Sequence, residues 1–213
     1  RQLDGRPMIG RLIELFMSCR AESLSIIVNT TMPDVRHYLE ELAPTLPCPM
    51  HLTVKSTPGS MHSMYEATRG ITAGRFIATT VDTIFRADEF RRYVEAFEAC
   101  PDGTGCMGLT TFIDDEKPLY VDVDPATDLI TAYRDAPSGA DRCISGGIYG
   151  LPHTACDILA DCMDRGLTRM RQFQRALIEE GMPLKAFIFD KIVDVDHAAD
   201  IQTAKQFIAT PLP

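Results

Sequence analysis

The stretch Arg75-Phe76-Ile77-Ala78-Thr79-Thr80-Val81-Asp82-Thr83-Ile84-Phe85 is short, apolar and β-branched, and it carries a single carboxylate. Gly74 bounds it on one side and a helical pattern from about Ala87 to Ala99 on the other. A bounded apolar run of this kind reads as a buried strand. Asp82 then sits where a central strand hands over to a loop, at the strand's carboxyl end. In open α/β sheets, ligands bind along that edge. Taken alone, the stretch supports a turn-stabilising Asp equally well, because Asp and Thr are ordinary turn residues.

Working back from this strand, the chain alternates. Met8-Ile9, Leu12-Ile13 and Leu15-Phe16 trace an amphipathic helix with Pro7 near its first turn. Leu24 to Val28 is a strand, Pro33 opens a helix stopped by Pro44, and His51 to Lys55 is a weak strand. Ser60 is expected to cap the helix that carries Met61, Met64, Tyr65 and Ile71. The order β-α-β-α-β-α implies a parallel sheet with helices on both faces.

Beyond Pro101 the rhythm changes. Gly105 to Phe112, Pro118 to Val123 and Leu129 to Tyr133 are strand-like, with Asp114-Asp115-Glu116 and Asp124 to Asp128 as turns. They read as an antiparallel insertion in a mixed sheet. Cys143 to Leu151 is a further buried strand, interrupted by Gly146-Gly147. Glycine inside a strand marks a bulge or a close approach of another group. Helices over about His153 to Arg165 and Thr168 to Glu180 follow, then a final strand from Lys185 to Val195 and a last amphipathic helix. No repeat or linker divides the chain, so residues 1–213 read as one α/β domain: a Rossmann-like three-layer α/β/α sandwich around a mixed, mostly parallel sheet.

The chain has 213 residues, 21 Lys plus Arg against 30 Asp plus Glu, and a net charge of −9. That balance argues against non-specific nucleic-acid binding and against an anionic membrane surface. No apolar run approaches the roughly 20 residues that span a bilayer. The 7 cysteines include no C-x-x-C pair, which points to reduced core thiols and a cytoplasmic setting. The 5 scattered histidines make a structural zinc site an unattractive reading. Nothing in the pattern fixes the oligomeric state.

Two strand ends bear carboxylates: Asp82, and Asp194-Val195-Asp196. If both strands share a parallel sheet, their ends lie on one edge and the carboxylates can form a common site. Two or three carboxylates with few basic neighbours suit a hard, oxygen-preferring cation such as Mg²⁺. Capping of the last helix is the plainer role for Asp194 or Asp196. Thr57-Pro58-Gly59-Ser60 is a glycine turn before a helix, where backbone N–H groups can meet a nucleotide. A simple turn explains it as well.

In their order and spacing these pieces resemble the nucleotidyltransferase superfamily with the glycosyltransferase-A-like fold, within it the sugar-phosphate and molybdenum-cofactor nucleotidyltransferases. The resemblance rests on Leu3-Asp4-Gly5-Arg6-Pro7-Met8-Ile9, Pro58-Gly59-Ser60, Phe76 to Asp82, Ser145-Gly146-Gly147-Ile148-Tyr149 and Asp194-Val195-Asp196-His197-Ala198-Ala199-Asp200. In the last segment His197 and Ala198 stand where the family has Thr-Pro.

The resemblance implies transfer of a nucleotidyl group from a nucleoside triphosphate to a sugar phosphate, with release of pyrophosphate. Asp82, with Asp194 or Asp196, would hold Mg²⁺. Thr57, Gly59 and Ser60 would face the base, and Gly146 and Gly147 would let the backbone approach the sugar. Asp135-Ala136-Pro137 stands where sugar-nucleotide members carry Glu-Lys-Pro. Asp135 would bind a sugar hydroxyl, but Ala136 supplies no cation, leaving Arg134, Arg142 or Lys185 to compensate. The family's glycine-rich signature loop and its strand are expected upstream of Leu3, so the stretch as given is expected to be inactive alone. Two other readings stay open: a glycosyltransferase of the same fold using a nucleotide sugar, which needs a D-x-D at the end of the central strand where Thr80-Val81-Asp82 provides one carboxylate, and a nucleotide-sensing domain without catalysis.

Overall fold

The structure, a computed structural model, describes residues 2–3, 5–112, 117–138, 143–195, 197 and 200–209. The expected turn Asp114-Asp115-Glu116 lies outside the described residues, as do Asp4, Arg142, Asp196, Ala198 and Ala199.

A two-residue hairpin, β1 (Gln2–Leu3) and β2 (Arg6–Pro7), leads into α1 (Met8–Ser18). β3 (Leu24–Val28), α2 (Pro33–Leu42), β4 (Met50–Val54), α3 (Ser60–Thr68) and β5 (Arg75–Thr79) follow in strict alternation. β6 (Thr83–Ile84) and α4 (Ala87–Glu98) come next, then β7 (Gly105–Thr110), β8 (Tyr120–Val123), β9 (Ile130–Arg134) and β10 (Cys143–Pro152). The chain closes with α5 (Ala155–Asp164), α6 (Met170–Glu179), β11 (Leu184–Phe189), β12 (Val193–Asp194) and α7 (Asp200–Ala209).

The main sheet has the order β11-β7-β10-β8-β9, with β5 also paired to β10. β10 is long enough to serve two neighbours along one edge: Ile148 to Pro152 pair with β5, and Cys143 and Ile144 with β8. β5, β7, β8 and β11 run in one direction, whereas β9 and β10 run in the other. This is the expected mixed sheet. The parallel pair β3–β4 forms a separate two-stranded sheet, in register from Leu24↔Met50 to Val28↔Val54.

Helices cover both faces. On one, α4 and α1 bring Phe90, Tyr93, Phe97, Leu12 and Leu15 against Ile148 and Phe189. The apolar stripe of α4 recurs at helical spacing, and Phe90 and Tyr93 are fully buried. Emptying such a site typically costs about 3–5 kcal/mol. On the other face α3, α5 and α6 pack Met61, Leu159, Phe173 and Leu177 against Met107 and Leu109. The β8–β9 ribbon closes over this face with Val121, Ile130 and Tyr133.

Two local expectations change. Ser60 is the first residue of α3, not its cap: Gly59 takes the N-cap position without a side-chain hydrogen bond. The Thr57 hydroxyl instead meets the Ser63 hydroxyl at 2.6 Å. The strand expected over Lys185 to Val195 is two strands. Its central-sheet part ends at Phe189, and β12 pairs with β6 rather than with the sheet. All seven cysteines are free thiols, three of them buried.

Candidate active site on the β6–β12 ribbon

The break after Phe189 gives the site its geometry. β5 ends at Thr79, the chain turns through Thr80, Val81 and Asp82, and β6 starts at Thr83. β12 lies antiparallel to β6, with Val193 opposite Ile84 and Asp194 opposite Thr83. The ladder extends one step further, where Val195 N–H donates to the Asp82 carbonyl at 3.0 Å. Asp82 and Asp194 therefore lie on adjacent rungs of a short ribbon beyond the sheet edge, Asp194 opposite Thr83 and Asp82 opposite Val195. Burial of Ile84, Val193 and Val195 against Leu3, Ala204 and Phe207 holds that ribbon down.

The two carboxylates differ. Asp194 is exposed, whereas Asp82 is half-buried. Asp82 Oδ1 is buried without a hydrogen-bond partner. Desolvating a carboxylate oxygen without compensation is costly, so such an atom calls for a ligand. A carboxylate oxygen of this kind fits a hard divalent cation, which takes one or two carboxylates from the protein and the rest of its shell from phosphates and water. Among the described residues, no group of three or more His, Cys, Asp and Glu side chains gathers as a metal cluster.

Hydroxyls and a glycine frame this turn. Thr80 Oγ1 and Thr83 Oγ1 lie 2.9 Å apart. Thr79 Oγ1 donates to the Gly147 carbonyl at 2.9 Å. Gly147 has φ +72, a left-handed conformation that favours glycine, and a bulge interrupts the β10–β7 ladder between Ser145 and Ile148. Gly146 has a packing role: an added Cβ would lie 2.4 Å from Ile192 Cδ1 and 3.0 Å from the Gly108 carbonyl. Tyr149 stands nearby, its phenol pushed up to about 12 by burial, with a further push from the Asp194 carboxylate.

Asp135 lies on the same sheet edge but in a different setting. It follows Arg134, which pairs with Tyr120 at the level of Ile144 and Thr110. Arg171 Nη1 reaches Asp135 Oδ1 at 2.6 Å and Arg175 Nη2 reaches Oδ2 at 2.9 Å. These guanidiniums, Arg175 first, hold the Asp135 carboxyl below its usual range. Lys117, Tyr120, Asp135, Ala136, Pro137 and Arg171 line a groove of about 450 Å³ beside it. Of the compensating cations expected from the sequence, Arg134 is ion-paired to Asp122. Lys185 stands at the start of β11, away from this edge, 4.0 Å from Asp128. Sequence reasoning missed Arg171 and Arg175, which lie 36 and 40 residues beyond Asp135 with no short-range signal (171 − 135; 175 − 135).

Thr57 and Gly59 lie on the β4–α3 connection and Ser60 opens α3, with no hydrogen bond to the β6–β12 ribbon among the described residues. An added Cβ on Gly59 would meet nothing closer than the Thr168 carbonyl at 3.6 Å, so packing does not require glycine there.

Solved structures share this mixed sheet with helices on both faces. The inositol-1-phosphate CTP transferase from T. maritima superposes with a TM-score of 0.76 at 15% identity, covering 99% of this chain and 88% of that one. A protein assigned as a glucose-1-phosphate thymidylyltransferase from Bacillus anthracis gives a TM-score of 0.82 at 17% identity, covering 100% and 87%. A CMP:2-keto-3-deoxy-manno-octonic acid synthetase complexed with CTP gives 0.70 at 16% identity, covering 98% and 90%. No protein-family model matches the chain, nor does any curated protein.

Proposed function

We propose that this protein is a Mg²⁺-dependent nucleotidyltransferase that moves a nucleoside monophosphate from a nucleoside triphosphate onto a sugar phosphate, releasing pyrophosphate. The observation that carries the reading is the ribbon that brings Asp82, with its partnerless buried Oδ1, to the rung next to Asp194. Solved proteins of this fold, among them the inositol-1-phosphate CTP transferase and the protein assigned as a glucose-1-phosphate thymidylyltransferase, support it. Asp82 and Asp194 would hold the Mg²⁺, with Asp196 as a further candidate ligand. Bound there, the ion would offset the negative charge that gathers on the α-phosphate.

The chain's own part is positioning. The acceptor phosphate oxygen forms a bond to the α-phosphorus as the bond to the β-phosphate breaks, and no protein nucleophile is required. Asp82 and Asp194 face the triphosphate side. Gly147 keeps β10 close to that turn and leaves room for the acceptor. On the acceptor side, Arg171 and Arg175 supply the cations that Ala136 lacks, with Asp135 oriented between them. Thr57, Gly59 and Ser60 would line the base side. We place the main triphosphate-binding loop in a segment preceding Arg1, with a strand beside β5. In support, β5 pairs only with β10, and β3 only with β4, among the described residues. The setting we propose is cytoplasmic; no helix among the described residues is long and apolar enough to cross a membrane.

The test is pyrophosphate release by the full natural protein with Mg²⁺, over a grid of nucleoside triphosphates and sugar 1-phosphates. A productive pair whose signal collapses in Asp82→Asn supports the reading. Silence across the grid while nucleotide still binds would replace it with a sensing role.

A further inference from the structure

We propose that Glu89 is a positioning residue: its buried carboxylate pins the Asp190–Ile192 connector between β11 and β12, and through it sets Asp194 against Asp82. Glu89 lies in the first turn of α4 and is only 2% exposed. Its Oε1 accepts the Asp190 backbone N–H at 2.7 Å, while Oε2 is buried without a hydrogen-bond partner. Acidic residues are common in a first helical turn, where the helix dipole favours them. Such residues are ordinarily solvated, as the neighbouring Asp88 is. A carboxylate withdrawn from water to hold one backbone amide serves the segment that owns the amide.

That segment is short, and three more contacts fix it. Ile192 is buried and its Cδ1 fills the space that Gly146 leaves open. Lys191 Nζ stands 4.1 Å from the centroid of the Phe112 ring. Val193 and Asp194 then enter the ladder with β6. Asp190 is the first residue after β11, so the Glu89 contact sets where the chain leaves the main sheet. The groups facing Glu89 are the Asp190 carboxylate and the guanidiniums of Arg86 and Arg92. None of them is a candidate metal ligand, so Glu89 would act at a distance from the ion.

The metal arm of this inference rests on the nucleotidyltransferase reading; the connector arm does not. The experiment compares Glu89→Gln, which keeps a carbonyl oxygen for the Asp190 amide, with Glu89→Met, which fills the space without an acceptor. Hydrogen exchange over residues 190–195 and Mn²⁺ binding, with Mn²⁺ alone as the probe, are measured in the full natural protein beside Asp82→Asn. The inference predicts faster exchange in Glu89→Met only. It also predicts Mn²⁺ affinity weakened about tenfold in Glu89→Met, the scale of lost outer-shell support, and rescue in Glu89→Gln. Equal exchange in the two Glu89 variants would overturn it whatever the metal does. So would unchanged Mn²⁺ affinity in Glu89→Met when Asp82→Asn has lost it. Mn²⁺ binding that ignores Asp82→Asn would instead sink the reading of the site, with the exchange data still deciding the connector.

Discussion

Asp82 and Asp135 are the same residue type on the same edge of one sheet, and their surroundings are opposite. Asp135 is exposed and both its oxygens are taken by arginines. Asp82 is half-buried, and one of its oxygens is buried with no partner. A protein needing only a folded edge would treat both in the first way, since pairing a carboxylate with guanidinium satisfies it locally. On the proposed function, the contrast would divide the edge into an anionic half facing the triphosphate and a cationic half facing the acceptor. It would also let a chain of net charge −9 handle the phosphates of the proposed reaction: repulsion at one end would be offset by the ion and at the other by arginines.

The contrast breaks most visibly if the two aspartates are exchanged as targets. Asp82→Asn should lower kcat/KM at least about a hundredfold, the scale seen when charge stabilisation of a transition state is removed. Asp135→Asn should act mainly on acceptor KM. Steady-state kinetics at saturating nucleotide separates the two.

Next in size is Gly146→Ala. Its new Cβ would collide with Ile192 Cδ1 and the Gly108 carbonyl. Overpacking of this kind costs about 1–3 kcal/mol. A lower melting temperature together with weaker Mn²⁺ binding would place the damage on the β12 side of the contrast.

On the cationic half, Arg175→Gln should raise acceptor KM by roughly threefold to tenfold with kcat nearly unchanged, as expected when uniform binding is lost. An unchanged KM would reduce Arg175 to a tether between α6 and β9.

The smallest effect is a pH dependence. Burial raises the Glu89 pKa above 4.5, so the native state holds its proton to higher pH than the unfolded chain does. Stability from this group is full below the unfolded value and declines as pH rises toward the folded one. Relative to the natural protein, Glu89→Gln should therefore gain stability between acid and neutral pH, as read by denaturant midpoints. A loss over that interval would contradict the sign.

Much of the fold can be read from residue pattern, because buried strands and amphipathic helices carry their periodicity locally. Leu24 to Val28 and the Phe90–Phe97 stripe are examples. Asp82 stands out for the same reason, as the carboxylate that ends an apolar run. The ribbon does not. β6 and β12 have two residues each, too few for a periodic signal, and their pairing joins residues far apart in sequence. The run from Lys185 to Val195 looks continuous because Ile192-Val193 resume the apolar pattern only two residues after Phe189, although Ile192 has turned to fill the space at Gly146. Glu89 resembles any acidic residue in a first helical turn until its burial is seen. Gly146 and Gly147 read as a pair, yet one makes room for Ile192 and the other takes a left-handed bulge.

The most direct measurement is Mn²⁺ binding by electron paramagnetic resonance in the presence of a nucleoside triphosphate, for the natural protein, Asp82→Asn, Asp194→Asn and Asp135→Asn. Loss of bound Mn²⁺ in the first two variants and its retention in the third is the predicted result. Retention in Asp82→Asn, or loss in Asp135→Asn alone, would mean that the partnerless oxygen on the ribbon is not where the ion is held.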